Sequence, residues 1–182
     1  MNEQSLNTVV DESIILKIAG GDKSALSMLY LNTKNAVYCF ALSILRNKET
    51  AQDVMQDTYI QVWNSAKNYK PTKKNPMPWI LGVTKFLAYA ELRKQQHMSD
   101  YNDSLLETED SKDCFYDCEN KLITNALLTK LKSDERQIVI LHIMAGLKHR
   151  EIAKLLDTPI STVINKYNRS LKKLEKLAGD VI

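Results

Sequence analysis

The sequence predicts an all-α protein of two small helical domains joined by an acidic flexible linker, and three observations carry that expectation. Apolar residues recur at a 3.6-residue period through most of the chain. Only five Gly and four Pro occur in 182 residues, so long stretches are free to be helical. The net charge of +3 also separates into blocks, with +4 over residues 1–98, −6 over 99–118 and +5 over 119–182. The middle block is polar and short of aliphatic residues. It cannot bury enough surface to offset its ordering entropy. The expected division is therefore a domain at 1–98, a linker at 99–118 and a domain at 119–182.

In the first block, Gly20-Gly21-Asp22 ends one helix and caps the next, whose apolar positions are Leu26, Leu29, Tyr30, Val37, Phe40, Ala41, Ile44 and Leu45. Arg46-Asn47-Lys48 breaks the pattern. A helix over about 49–66 follows, with Val54, Met55, Thr58, Tyr59, Val62 and Trp63 inward and Asp53, Gln56, Asp57 and Gln61 outward. A loop at 68–78 holds three prolines and Lys70, Lys73 and Lys74. From about Trp79 a further helix runs through Ile80, Val83, Phe86 and Leu87 to Arg93-Lys94.

The second block resumes with Leu122, Ile123, Ala126, Leu127 and Leu131, giving a four-helix unit of about 60 residues. A helix opened by Ser133 carries Ile138, Val139, Leu141 and His142 to a turn at Ala145-Gly146. Ile152, Ala153, Leu155 and Leu156 then line a short helix, Asp157-Thr158-Pro159 turns the chain, and Ser161 suits an N-cap for the last helix. At about 100° per residue, Val163, Tyr167, Ser170, Leu171 and Leu174 of that helix share one stripe. Asn165, Lys166, Arg169, Lys172, Lys173 and Lys176 share the other. A helix that buries Val, Tyr and Leu while aligning five cations is suited to a polyanion. The arrangement is a helix-turn-helix with its second helix placed for a DNA major groove.

Other function classes find little here. The composition, 44% hydrophobic and 26% charged, is that of a soluble globular protein, and no run approaches the roughly 20 apolar residues of a membrane span. The N-terminus MNEQSLNTVVDES lacks a signal-peptide core. Three cysteines are an odd and sparse set, which suggests a reducing cytoplasm. Cys114 and Cys118, in an acidic segment without a histidine pair, read as unpaired thiols rather than zinc ligands. No phosphate loop, nucleophile motif or metal spacing is present, so neither an enzyme nor a cofactor is expected. His142 reads as a core residue and His149 as a polar residue near a helix start.

Taken in order, these segments closely resemble a bacterial RNA polymerase sigma factor of the extracytoplasmic-function group of the sigma-70 family, over roughly residues 11–178. ETAQDVMQDTYIQVW resembles the polymerase-docking helix. PWILGVTKFLAYAELRK resembles the helix facing the −10 promoter element, and LKSDERQIVILHIMAGLKHREIAKLLDTPISTVINKYNRSLKKL the domain that reads the −35 element. The resemblance implies a cytoplasmic initiation factor with core RNA polymerase and promoter DNA as partners, an anti-sigma protein as a frequent further partner, and a monomer when free. It implies core-polymerase contacts at Asp53, Gln56, Asp57, Ile60 and Gln61. It implies −10 contacts at Lys70, Lys73, Lys74, Trp79, Lys85, Arg93 and Lys94, with Trp79 fixing the base-capturing loop. Contacts with the −35 element are implied at Ser161, Thr162, Asn165, Lys166, Arg169, Lys172 and Lys173. In this setting the acidic linker would mimic a phosphate backbone in a basic polymerase channel.

The chain departs from the family pattern at Lys85-Phe86, where an Arg-Asn pair is usual, and at Ala90, where Asp is usual. Ile164 and Asn165 stand where many members have Lys and Ser. Two other readings remain: a sigma-like decoy that sequesters an anti-sigma protein, and a free-standing helix-turn-helix regulator. The cationic last helix argues against the first, the docking helix and linker against the second.

Overall fold

Two short sequences set the boundaries of the first three helices. Gly20 ends α1 (Ser13–Ala19), and Gly21 takes φ +88°, a conformation that glycine adopts without steric cost. Asp22 then accepts hydrogen bonds from the main-chain N–H groups of Ser24 (2.8 Å) and Ala25 (3.1 Å), capping α2 (Lys23–Leu45). Arg46, at φ 56°, closes α2, and the Asn47 side chain accepts from Thr50 N at 2.9 Å to start α3 (Lys48–Ser65). In this computed structural model the described residues are 10–71, 75–99 and 128–179.

After a 3₁₀ turn at Ala66–Asn68, the Asn75 side chain accepts from Met77 N at 2.9 Å at the head of α4 (Met77–Ser99). The second half contributes α5 (Ser133–Ile143), α6 (His149–Leu155) and α7 (Ile160–Gly179). The described residues are thus all-α. Leu122, Ile123, Ala126, Leu127 and residues 100–118 of the expected linker lie outside them.

Helices α2, α3 and α4 pack on one another, and α1 closes one side. Their core holds Leu29, Val37, Phe40, Leu42, Val62, Ile80 and Leu81, all buried. Each such side chain contributes about 1.5–3 kcal/mol on leaving water. Polar groups inside the core are paired. Thr33 Oγ1 and Tyr59 OH lie 2.7 Å apart, and Thr58 Oγ1 donates to the Val54 carbonyl at 2.8 Å. The inward face of α3 is the one the period predicts. On α4 the inward side is Met77, Ile80, Leu81, Thr84 and Ala88, and Phe86, grouped with the apolar set in the sequence, points to solvent.

Ile138, Leu141, Leu147, Ile152 and Val163 form the core of the second half. Gly146 (φ 67°) and Asp157 (φ 52°) make the two tight turns, the second locked by Thr158 N donating to the Ala153 carbonyl at 2.9 Å. Ser161 is no N-cap: α7 already begins at Ile160, and Pro159 suits the entry because its missing N–H would have no partner in a first turn. Glu135 and Glu151, three residues past the caps of α5 and α6, reach back to the main-chain N–H of Lys132 (3.2 Å) and Lys148 (2.8 Å).

The halves meet along α2–α5 and α4–α6. Ser133 Oγ donates to the Ser43 carbonyl at 3.2 Å, and Lys85 Nζ donates to the Leu155 carbonyl at 2.7 Å. Cys39 is buried and disulfide-bonded; Cys114 and Cys118, expected from the sequence as unpaired thiols, lie outside the described residues.

Candidate polymerase and nucleic-acid interfaces

Helix α3 presents Asp53, Gln56, Asp57, Ile60 and Gln61 on one face, all exposed. Their spacing is i, i+3, i+4, i+7 and i+8, a single stripe of about two helical turns. Ile60 is 59% exposed, at the centre of a face otherwise made of acids and amides. Beside it a depression of about 420 Å³ is lined by Leu26, Tyr59 and Trp63, with Lys23 at its edge. Carboxylates accept two hydrogen bonds each from guanidinium groups, so this face suits a basic partner with an apolar contact at its middle.

The residues expected at the −10 element are not gathered at one point. Trp79 packs its ring on Tyr69 at 4.9 Å between centroids, and Tyr69 OH donates to Glu12 Oε1 at 2.7 Å. Trp79 is therefore partly buried and fixes the loop to α4. Lys70 lines a cleft of about 810 Å³ with Tyr69, Trp79, Lys148, Arg150 and Lys154, at the seam between the halves. Lys85 is committed to the Leu155 carbonyl at that seam. Arg93 and Lys94 are exposed about 12 Å further along α4 than Lys85. Lys73 and Lys74 lie outside the described residues.

In α7 the buried stripe is that of the wheel: Val163 and Ser170 are buried, and Tyr167, Leu171 and Leu174 half-buried. Asn165, Arg169, Lys172 and Lys173 are exposed, with Ser161 and Thr162 in the first turn. The wheel does not show what these cations already touch. Lys166 is half-buried and ion-paired with Asp134 of α5, whose carboxyl that hydrogen bond holds below its ordinary pKa. Arg169 donates to Glu135 Oε1 from Nε (3.1 Å) and Nη2 (2.6 Å). Lys173 Nζ donates to the Lys130 carbonyl at 2.6 Å. Lys166 is consequently a tie between helices, and Arg169 is aimed by a side chain only 4% exposed.

A ring cluster behind α7 escapes the sequence reading. His142 and His149 stack at 4.6 Å with planes 12° apart, and Tyr167 meets both edge-on at 4.6 and 4.9 Å. His142 Nδ1 lies 2.8 Å from the Leu147 carbonyl, while His149 Nε2 is buried with no partner among the described residues. Burial, and secondarily His142, lowers the His149 pKa, and burial raises that of Tyr167. A neutral folded His149 facing a protonated unfolded one costs stability as pH falls through the ordinary histidine range near 6.5. Thermal melts at pH 7.5 and 5.5 should therefore show an acid-side loss that His149→Phe reduces. Equal losses in both proteins would show that His149 is not its source.

No group of three or more His, Cys, Asp or Glu able to hold a metal occurs among the described residues, and no helix there is long and apolar enough to cross a membrane.

The Sigma-70 region 2 family matches residues 29–98, and the Sigma-70, region 4 family matches residues 122–174. The ECF RNA polymerase sigma factor SigK of Mycobacterium ulcerans (strain Agy99) is 25% identical over 169 residues, covering 89% of this chain and 90% of that protein. SigK of Mycobacterium tuberculosis (strain ATCC 25618 / H37Rv) is 23% identical over 170 residues, 90% of each.

Among solved structures, CnrH in complex with the cytosolic domain of CnrY has a TM-score of 0.58 at 19% identity, over 93% of this chain and 97% of that one. The sigma factor RpoE in complex with the anti-sigma factor NepR from Bartonella quintana has a TM-score of 0.61 at 20% identity, over 84% and 96%. With both Sigma-70 regions matched in order and such sigma factors aligned along nine-tenths of its length, the chain belongs to the sigma-70 family of RNA polymerase sigma factors, in the extracytoplasmic-function group.

Proposed function

We propose that this sigma factor joins core RNA polymerase through the exposed face of α3 and selects promoters with the cationic face of α7. The observation that carries the reading is the separation of charge. One exposed helix face gathers Asp53 and Asp57, another gathers Arg169, Lys172 and Lys173, and they lie in different halves of the chain. The acid face suits Arg-rich protein; the cationic face suits duplex phosphate. In this reading residues 1–98 dock on polymerase and meet the −10 element, residues 119–182 meet the −35 element, and 99–118 connect them.

Asn165 and Arg169 would read or position the −35 duplex, with Lys172 and Lys173 on phosphates. Trp79 holds the loop at the −10 element, and Lys70, Lys85, Arg93 and Lys94 supply cations along the melted strand. Such a protein works in the cytoplasm, as a monomer when free. The solved relatives bound to the cytosolic domain of CnrY and to NepR support an anti-sigma protein as a further partner.

Run-off transcription tests the reading, with purified core polymerase on fragmented genomic DNA from the source organism. Discrete starts that require this protein are the expected result. Absence of both transcripts and core binding would leave the decoy reading in its place. For the phosphate contacts, Lys172→Ala with Lys173→Ala should weaken promoter binding regardless of sequence. The log–log salt slope of the holoenzyme should also become shallower by about 0.9 per lost contact. An unchanged slope would remove both lysines from the phosphate path.

A further inference from the structure

The cleft at the seam between the halves, about 810 Å³, falls within the roughly 300–1,000 Å³ of small-molecule sites. Its two walls differ in chemistry. The wall from the first half carries the rings of Tyr69 and Trp79 and the amides of Asn68 and Asn75. The wall from the second half carries Lys148, Arg150 and Lys154, at and within α6, and Lys70 adds a fourth cation from the first half. All four cations are exposed, and among the described residues none is ion-paired. Glu151 is the one carboxylate among the described lining residues, and its Oε2 accepts the Lys148 main-chain N–H at 2.8 Å. Cations brought together from two halves of a chain repel, and an anion held between them replaces that repulsion with attraction.

We propose that this cleft binds a free purine nucleotide with two or three phosphates, its base on the wall of rings and amides and its phosphates on Lys148, Arg150 and Lys154. Aromatic rings cover the π-face of a base, and amides offer both donors and acceptors to its edge. Arg150 and Lys154 stand one helical turn apart, a spacing that lets them hold neighbouring phosphates. Four cations against one carboxylate suit several phosphates better than one. An apolar ligand would leave the cations unneutralised, and an inorganic anion would leave the rings uncovered. Lys148, Arg150 and Lys154 are given to neither promoter element, so this ligand is additional to the proposed function. It touches both halves and therefore binds the closed seam, where Lys85 Nζ donates at 2.7 Å to the carbonyl of Leu155, itself a lining residue.

Calorimetric titration of the free protein in magnesium-free buffer tests the site, with ATP, GTP, adenosine and inorganic triphosphate as probes. ATP or GTP should bind at a single site, and adenosine and inorganic triphosphate should each bind at least about tenfold more weakly. Arg150→Ala with Lys154→Ala, both at exposed positions, should lower nucleotide affinity by about tenfold or more, the factor that one hydrogen bond to a charged group carries. Lys85→Met changes no lining position, but it removes the seam bond and should weaken nucleotide binding as well. Circular dichroism checks that each variant is folded.

Inorganic triphosphate binding as tightly as ATP and GTP would overturn the nucleotide site and leave a general attraction for anions. So would nucleotide affinity unchanged by the Arg150 and Lys154 replacements, or no binding of either nucleotide at millimolar concentration. Wild-type affinity in Lys85→Met would overturn the claim that the nucleotide spans the seam.

Discussion

Reversing two charges on α3, Asp53→Lys together with Asp57→Lys, should abolish holoenzyme formation. Both carboxylates are exposed and separated by one helical turn. Their replacement leaves the buried face of Val54, Met55, Thr58 and Tyr59 untouched, so the fold is retained. Each substitution changes the local charge by two units, and like charges placed across a contact cost several kcal/mol. Affinity for core polymerase should fall by at least about a thousandfold, whereas Asp53→Asn with Asp57→Asn, which only removes charge, should lose less. Fluorescence anisotropy of labelled protein titrated with core polymerase, alongside circular dichroism, separates docking from folding. Wild-type affinity in the lysine variant would eliminate this face as the docking site.

Glu135→Ala should act on both stability and recognition, because this carboxylate joins the head of α5 to the middle of α7. Oε2 accepts from the Lys132 N–H at the head of α5, and Oε1 takes both Arg169 bonds from α7. Burial pushes the Glu135 carboxyl up, but the Arg169 hydrogen bond and the Lys132 N–H outweigh it, and the pKa settles below its ordinary 4.5. A hydrogen bond to a charged group is worth about 1.5–3 kcal/mol, and exposure of the Arg169 end favours the lower part of that range. The expected loss at pH 7 is about 2 kcal/mol.

Since the folded-state pKa is depressed, this contribution is present above pH 4.5 and fades as pH falls through the lower folded value. Urea titrations at pH 7 should separate wild type from Glu135→Ala, and at pH 3 the gap should shrink. A pH-independent gap would assign the effect to packing. Arg169, released from its orienting partner, should also lose part of its contribution to binding −35 duplex, seen as weaker holoenzyme affinity for that fragment.

What the sequence disclosed and what it withheld divide along range. The cap at Asp22, the break at Arg46-Asn47 and the buried stripes of α3 and α7 are local, and residues at most eleven apart announce them. Helix α4 was harder because apolar residues surround it. Ile80, Leu81, Val83, Phe86, Leu87 and Tyr89 leave no single 100° sector empty, so periodicity could not tell that Phe86 faces outward.

Partners across helices left no periodic trace at all. Lys166 meets Asp134 and Arg169 meets Glu135, over sequence separations of 32 and 34 residues. A wheel assigns a side chain to a face and is silent on the neighbouring helix. The histidine stack spans a turn whose geometry depends on Gly146, so His142 and His149 carried no joint signal. Even Ser161, a good cap by type, lost that role because Pro159 and Ile160 begin the helix earlier.

The Lys85 ammonium connects this geometry to thermodynamics. Its proton on the Leu155 carbonyl fills one of the acceptors that every helix leaves open at its C-terminus, where a cation is also favoured by the helix dipole. An ammonium carries three N–H donors, so the bond to Leu155 leaves two for the α4 surface that the proposed function gives to nucleic acid. The seam carbonyl and a strand phosphate then share one cation without excluding each other.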